Sequence, residues 1–362
     1  MIITVNKNDF LSKLIAVSKV AKDNKIRPVL SGVKLEATDK ITMTATDLEL
    51  TISTQTEGEI QVKGTAVFNP SKVIEYVNTL EENEINIELD KNILKIFEAE
   101  FEVYNADDYP MIKMPEPENK IKINSSDFQK SLMGCIAVSK TVTDNVALSG
   151  VRVEISNKIR CIASDSFRMA YFECISDCDA NIKTTIPNNA VFRLIDLLKN
   201  SITLELYQDK SNIIFEIDDY KIITRTIDVA FPNWESLSKS IVTDKKVTVN
   251  KADAVKILKR ITIFSRDNLS AKNAATFELD KNLINVKAIG GSAKAKDKIP
   301  AIVEGDKLKM NLNSQFIIDY LGTIDSEAVE LRMSGSANPV MIQPCNSNNT
   351  WFLCMPLALN EV

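Results

Sequence analysis

The residue type that would support most active-site chemistry is missing: among 362 residues there is no histidine. Ser-His-Asp and Cys-His nucleophilic sites, His-ligated zinc and the usual proton shuttle near neutral pH all need an imidazole, so this chain can build none of them. Carboxylates, thiols and one glycine pair remain. Asp47 with Glu49, in the segment ATDLEL, and the adjacent Asp107 and Asp108 have the composition of a metal or acid–base site. The first pair has strand spacing and the second precedes Tyr109-Pro110, so solvated or turn-forming carboxylates are the simpler reading of both. The six cysteines (Cys135, Cys161, Cys174, Cys178, Cys345 and Cys354) contain no Cys-x-x-Cys, and six in a chain of this length make no disulfide framework. Cys174 and Cys178 are spaced for a regulatory pair, against which stands the reading of plain reduced thiols. Gly290-Gly291 lacks the following residues of a phosphate loop. The chain therefore offers no catalytic constellation, and neither a metal nor a cofactor is expected.

The chain is 44% hydrophobic and 26% charged, a globular composition, and its ten Gly and eleven Pro exclude collagen-like and low-complexity chains. Its length suggests about three domains at roughly 100–150 residues each. With 44 basic and 49 acidic residues it carries a net −5, which argues against a histone-like wrapper or a strongly basic repressor. The segment MIITVNKNDF has no signal-peptide apolar run, and no stretch approaches about 18 apolar residues. A soluble, cytoplasmic protein is expected.

The elements that must position any site come in three copies. Residues 6–22, NKNDFLSKLIAVSKVAK, read as an amphipathic helix with Phe10, Leu14 and Val17 inward. Residues 124–140 repeat the pattern with Phe128, Leu132 and Cys135, and residues 250–266 repeat it with Val255, Leu258 and Ile261. Each copy opens on Asn with Asp three residues later, a capping arrangement. LSGVKLEA at Leu30 and LSGVRVEI at Leu148 are 118 residues apart, as are a second helix beginning near Asn69 and another near Pro187; the third copy of that helix begins near Asn311. Alternating strand patterns fill the intervals. The reading is an α+β chain of three homologous domains, 1–119, 120–246 and 247–362, each with two helices and antiparallel sheets, with boundaries where Pro and charge replace periodicity in 114–120 and 239–246.

Charge is concentrated on the first helices. Residues 6–22, 124–140 and 250–266 carry net +3, +1 and +4, so the rest of the chain carries −13. On a helical wheel Lys19, Lys130, Lys256 and Arg260 lie opposite the apolar stripes, as does Arg193 opposite Val191, Ile195 and Leu198. An ordinary solvated face explains one such helix; recurrence across the repeats argues against that explanation for all of them.

With the triplication established, the chain resembles the beta subunits of bacterial DNA polymerase III, the sliding clamps. Carrying the resemblance are Thr46-Asp47-Leu48-Glu49, Leu148-Ser149-Gly150-Val151, Ala163 to Ala170, Phe231-Pro232-Asn233-Trp234 and Met355-Pro356-Leu357-Ala358-Leu359, in order and spacing across the whole chain. The resemblance implies a non-catalytic processivity factor, a head-to-tail homodimer of six domains whose helices line a hole around duplex DNA. Helices about 10 Å wide agree: six would leave a gap of about 9 Å and twelve about 28 Å, against a duplex roughly 20 Å across. It implies contact with DNA phosphates for Lys19, Lys130, Arg193, Lys256 and Arg260, assisted by Lys22, Lys25, Arg27 and Lys140. It also implies a cleft for short hydrophobic peptides of the polymerase catalytic subunit, the clamp loader, other polymerases and repair proteins. That cleft would be formed by Leu148, Ser164, Ser166, Phe167, Arg168, Met169, Pro232, Leu237, Leu353, Met355 and Leu357, with Arg168 orienting the ligand or, alternatively, bound in a salt bridge inside the second domain. Tyr109 against Ile263 and Phe264 would form the dimer seam. Two departures stand out: Ser166-Phe167 where the family commonly has Gly-His, and the extra Asn360-Glu361-Val362. The rival readings are a triplicated interaction scaffold that never encircles DNA, and a nucleic-acid enzyme using Asp47 or Asp165.

Overall fold

Asparagine caps set where the helices begin. In the computed structural model, which describes residues 1–113, 120–140, 144–175, 180–268 and 271–358, Asn6 Oδ1 accepts from the Asp9 N–H at 3.0 Å and Asn250 Oδ1 from the Asp253 N–H at 3.1 Å. These open α1 (Lys7–Ser18) and, later in the chain, Lys251–Thr262. Asn69 opens α2 (Pro70–Thr79) in the same way. The remaining helices are α3 (Ser125–Ser139), α4 (Asn188–Leu198), the short α5 (Trp234–Lys239), α6 (the Lys251–Thr262 helix) and α7 (Ser314–Leu321), capped by Asn313. The first residue of α1, Lys7, sends Nζ to the Leu80 carbonyl at 2.7 Å, just past the end of α2. Lys251 does the same to the Ile324 carbonyl beyond α7 at 2.8 Å. Unsatisfied carbonyls at a helix C-terminus favour such a cation. In the middle repeat the neutral Ser125 Oγ takes this place, donating to the Ser201 carbonyl at 3.0 Å.

The inward faces follow the expected stripes with two corrections. Phe10, Leu14 and Val17, and Phe128, Leu132 and Cys135, are buried. On α6 the stripe is Ala254, Ile257, Leu258 and Ile261, with Val255 only half-buried, because it lies one residue off that line. On α4 it is Ala190, Val191, Leu194 and Leu198, leaving Ile195 at the stripe's edge.

The described chain divides into two compact units, Met1–Ser126 with Phe192–Thr226, and Asp127–Val191 with the residues from Ile227 onward. Each is built on one antiparallel sheet. The first sheet has 13 strands among the described residues. Its order runs Gly58–Val62, Ile2–Asn6, Glu84–Asp90, Ile93–Ile96, Ala99–Tyr104, Gly64–Phe68, Val33–Ala37, Ile41–Thr46 and Leu50–Thr56, then Tyr220–Arg225, Asn212–Ile217, Leu204–Asp209 and Ile121–Lys122. The second has 12: Lys309–Asn313, Ala274–Asp280, Leu283–Ile289, Lys294–Glu304, Lys245–Asn250, Ala328–Met333, Val340–Pro344 and Thr350–Cys354, then Arg168–Ile175, Lys158–Ser164, Gly150–Ile155 and Ile182–Pro187. The middle repeat thus gives half its strands to each sheet.

Two seams make this possible, and they obey one rule. The last strand of the second repeat, Tyr220–Arg225, pairs with Leu50–Thr56 of the first, Tyr220 opposite Thr54. The last strand of the third, Thr350–Cys354, pairs with Arg168–Ile175 of the second, Cys354 opposite Arg168. Both receiving strands follow the same tight turn. Asp47 Oδ1 accepts from the N–H groups of Glu49 and Leu50, and Asp165 Oδ1 from those of Phe167 and Arg168; Leu48 (φ 77°) and Ser166 (φ 73°) sit left-handed between them. These carboxylates are therefore turn-formers, and so are Asp107 and Asp108, which lie in the 3-10 turn Ala106–Asp108. In the third repeat Gly290-Gly291 occupies the corresponding turn, closed by the Gly290 N–H to the Ala293 carbonyl at 2.8 Å.

One close approach within the second unit is specific to a glycine. A Cβ on Gly134, in the middle of α3, would stand 2.0 Å from the Phe172 ring. Gly134→Ala should lower stability by up to about 2 kcal/mol, since overpacking of roughly 1–3 kcal/mol opposes a helix-propensity gain of about 1 kcal/mol. Urea unfolding followed by circular dichroism measures this; a more stable variant would mean that the ring has room to move.

Candidate functional site

In the first unit, α1 ends at Lys19, and a loop held by Asn24 follows. Asn24 Oδ1 accepts from the Ile26 and Arg27 N–H groups, and the Asn24 N–H donates to Ser31 Oγ at 2.8 Å. This ties a short loop that exposes Lys22, Lys25 and Arg27. Lys19 and Arg193 are brought together by a residue the sequence reading missed. Lys19 Nζ lies 2.9 Å and Arg193 Nη1 3.2 Å from the same oxygen, Asp196 Oδ2. In the second unit Lys130, Lys140, Lys256 and Arg260 are exposed, and Arg260 is paired with Asp297 of the strand Lys294–Glu304. Among the described residues no ion pair is found for Lys22, Lys25, Arg27, Lys130, Lys140 or Lys256. The helix charge count needs correcting. Lys7 and Lys251 are helix-end clamps, and Lys13 is buried between Asp9 and Asp219 at 3.0 and 3.5 Å.

The expected peptide cleft divides into an interior part and a surface part. Met169 and Leu353 face each other across the seam and belong to a buried cluster with Ile162, Tyr171 and Trp351. Tyr171 stacks on Trp351 at 4.9 Å and leans on Trp234 at 5.1 Å, while Phe231, Ile241 and Met341 pack around it. Sequence reasoning missed this aromatic floor. A signal existed: Trp351 lies two residues before Leu353 and so shares its strand face. Pro232, half-buried, and Leu237, half-exposed on α5, arrive with the Phe231–Trp234 segment. Above, Phe167 is 63% exposed and Met355 42%, tied by the Met355 N–H to the Phe167 carbonyl at 2.9 Å. Leu357 donates its N–H to the Asn311 carbonyl and is half-buried. Leu148 is buried in the 3-10 turn Val146–Leu148, outside the cluster. Below the floor's edge Tyr171 donates its hydroxyl to Glu173 at 2.7 Å. Burial alone would raise the Glu173 pKa, but hydrogen bonds from Lys158, Tyr171 and Arg160 outweigh it and hold the carboxylate below its usual value.

Arg168 and Ser164 are not part of the open surface. Ser164 Oγ accepts from the Ser166 N–H and donates to the Arg168 carbonyl, locking the turn. Arg168 is buried, with Nε 2.9 Å from Asp165 Oδ2, Nη1 3.6 Å from Asp319 Oδ2 and its guanidinium 3.8 Å over the Phe316 ring. Its place as ligand orienter is therefore corrected to the salt-bridge alternative, extended to Asp319 and Phe316 of α7. The left-handed Ser166 gives the Ser-for-Gly departure a physical cost, since a Cβ there is disfavoured by roughly 1–2 kcal/mol. Leu359 and the Asn360-Glu361-Val362 tail lie outside the described residues.

The three seam residues separate as well. Tyr109 is buried in its own unit, its hydroxyl donating to the Thr44 carbonyl at 3.1 Å under Lys34, and burial drives its pKa well up. Ile263, at the end of α6, is 57% exposed, and Phe264 is half-buried. Burial pushes the Cys135 and Cys161 thiols well up, Cys354 to about 12 and Cys174 to about 11. Cys178, the other half of the spaced pair, lies outside the described residues.

Arg168→Ala should destabilise the fold by about 3–5 kcal/mol, because it strands Asp165 in the interior. Urea titration reads this directly; a variant that unfolds like wild type would return Arg168 to the ligand.

Family models describe known relatives of all three repeats. The DNA polymerase III beta subunit N-terminal domain matches residues 1–113, the central domain 122–233 and the C-terminal domain 242–358. A beta sliding clamp of Mycoplasma capricolum is 24% identical over 99% of this chain and 99% of its own. Among solved structures, the DNA polymerase III beta subunit of Thermotoga maritima superposes with a TM-score of 0.91 at 21% identity, and the DNA polymerase sliding clamp of Bacillus subtilis with 0.92 at 20%. Each comparison covers 99% of this chain and 100% of the other.

Proposed function

The chain belongs to the family of bacterial DNA polymerase III beta subunits, the sliding clamps, and we propose that two copies close head-to-tail around duplex DNA as a processivity factor rather than a catalyst, acting in the cytoplasm. On this reading the three clamp domains are 1–119, 120–246 and 247–362.

The observation that carries the proposal is the seam rule. In each seam the last strand of one repeat joins the strand that follows the tight turn of the repeat before it. Within one chain two such edges have no strand partner among the described residues: the outer edge of residues 99–102, in the last strand of the first repeat, and that of 294–300, after the third turn. An unpaired edge is a template for another chain. Their charges are complementary. Glu98, Glu100 and Glu102 lie in or beside one strand, and Lys294, Lys296 and Lys298 lie along the other. A second copy offers each edge to its counterpart, and the contact closes after two chains. The aromatic pair Tyr320–Phe352 of the third repeat, at 4.9 Å, has its counterpart in Tyr76–Phe101 of the first, at 5.9 Å. That pair, in place of the buried Tyr109, faces Ile263 and Phe264 of the partner in this arrangement.

DNA contact falls to Lys19, Lys22, Lys25, Arg27, Lys130, Lys140, Arg193, Lys256 and Arg260. Lysine and arginine held on helices and one tied loop grip phosphate without reading bases, as sliding demands. Polymerase, clamp loader and repair partners share the apolar surface of Phe167 and Met355 above the Tyr171–Trp351 floor, with Pro232 and Leu237 as its far wall. An apolar site with few polar groups accepts several peptides, and methionine adapts to each. The decisive test is loading onto nicked circular DNA with retention until the circle is cut; release from the intact circle at the same rate would refute encirclement.

Ile263→Ala with Phe264→Ala should shift the protein toward monomer in sedimentation at low concentration, whereas Tyr109→Phe should leave association unchanged. The reverse pattern would move the seam. In a titration of a Gln-Leu-x-Leu-Phe peptide, Met355→Ala should weaken binding about tenfold, from the roughly 1.5–3 kcal/mol of burial such a side chain supplies. Equal affinity for both proteins would remove Met355 from the cleft.

A further inference from the structure

We propose that Asp196 is a tethered competitor for DNA phosphate, built into the gripping face to weaken its hold. The inference rests on the reading of Lys19 and Arg193 as DNA contacts and adds a residue of opposite sign to that surface.

One carboxylate oxygen of Asp196 holds both cations, Lys19 Nζ at 2.9 Å and Arg193 Nη1 at 3.2 Å. The three side chains are only partly covered, at 46%, 40% and 26% exposure, so the cluster is open to solvent and to a ligand. A buried pair of this kind would be structural. A half-exposed pair contributes little to folding and is readily exchanged. An arriving phosphate oxygen offers these cations the same charge and the same acceptor geometry as the carboxylate it displaces. The swap therefore gains little, and when the phosphate moves on the carboxylate returns without diffusing from bulk solvent. Each displaced pair also releases fewer counterions than two bare cations would, so the salt dependence of binding is shallower than the count of basic residues implies. The second unit repeats the device with different residues: Arg260 of α6 is paired with Asp297. Three of the nine cations assigned to DNA are thus already occupied by the protein's own carboxylates, which suits a surface that must hold a duplex and yet let it pass.

The test uses the full-length protein and a fluorescent duplex, with anisotropy recorded from about 50 to about 200 mM salt. Asp196→Asn should bind roughly three- to tenfold more tightly at about 100 mM salt, with a log–log salt slope steeper by about 1–2, one unit for each cation freed. Asp196→Ala, which offers no side-chain acceptor, should do the same or more. A merely structural role for Asp196 would alter thermal unfolding and leave the slope unchanged. Unaltered or weaker binding by both Asp196 variants, with weaker binding by Lys19→Ala/Arg193→Ala, would overturn the competitor while keeping the DNA face. If Lys19→Ala/Arg193→Ala also binds like wild type, that face does not touch DNA, and both proposals fall.

Discussion

Backbone hydrogen-bonding groups at the edge of a sheet must find partners, and in this chain that need is met between repeats instead of within them. Each of the first two repeats leaves one strand after its tight turn open on one side, and the last strand of the next repeat fills it. The consequence is a middle repeat whose described strands are divided between two continuous sheets. The lysine and serine clamps from the start of each first helix to the end of its second keep the helices at fixed distance over those sheets. Packing of α3 on Phe172 through Gly134 uses the strand Arg168–Ile175 that also receives the third repeat. Met169 and Leu353 depend on the same seam, meeting only because Arg168–Ile175 and Thr350–Cys354 pair.

Charge on this molecule is arranged locally. A net −5 conceals exposed cations on helices, yet the sum over a helical segment overstates what is free. Lysines at the first helical position serve carbonyls, Lys13 is enclosed by two aspartates, and Asp196 and Asp297 hold three of the outward cations. What remains is a sparse, partly compensated positive surface, compatible with weak and mobile contact to a polyanion.

Much of the fold was legible in the sequence because the signals are local and repeated. The Asn caps, the apolar stripes of α1 and α3, and the turn role of Asp47 and of Asp107 and Asp108 follow from residue type and spacing. Val255 and Ile195 were misplaced because a wheel fixes a stripe only to within a residue. The site was less legible. Arg168 looks on paper like an exposed orienter, and only the seam brings Asp319 and Phe316 to it. Tyr109 reads on paper as an anchor, but it is buried and donates its hydroxyl to the Thr44 carbonyl of its own unit. Asp196 was legible only by half: Arg193 precedes it by three residues on one helix, but Lys19 lies in another repeat.

The absence of histidine, first an argument about catalysis, has a physiological side. Imidazole is the side chain that ordinarily changes charge between about pH 6 and 8. The thiols that might replace it are driven upward by burial at Cys135, Cys161, Cys174 and Cys354. Glu216 and Glu330 go the other way: desolvation opposes ionisation, but lysine and arginine partners outweigh it and hold them below their usual values. The charge of these groups is therefore nearly constant between about pH 6 and 8. Electrostatic contacts made by these side chains would respond to ionic strength and ignore proton concentration across that range.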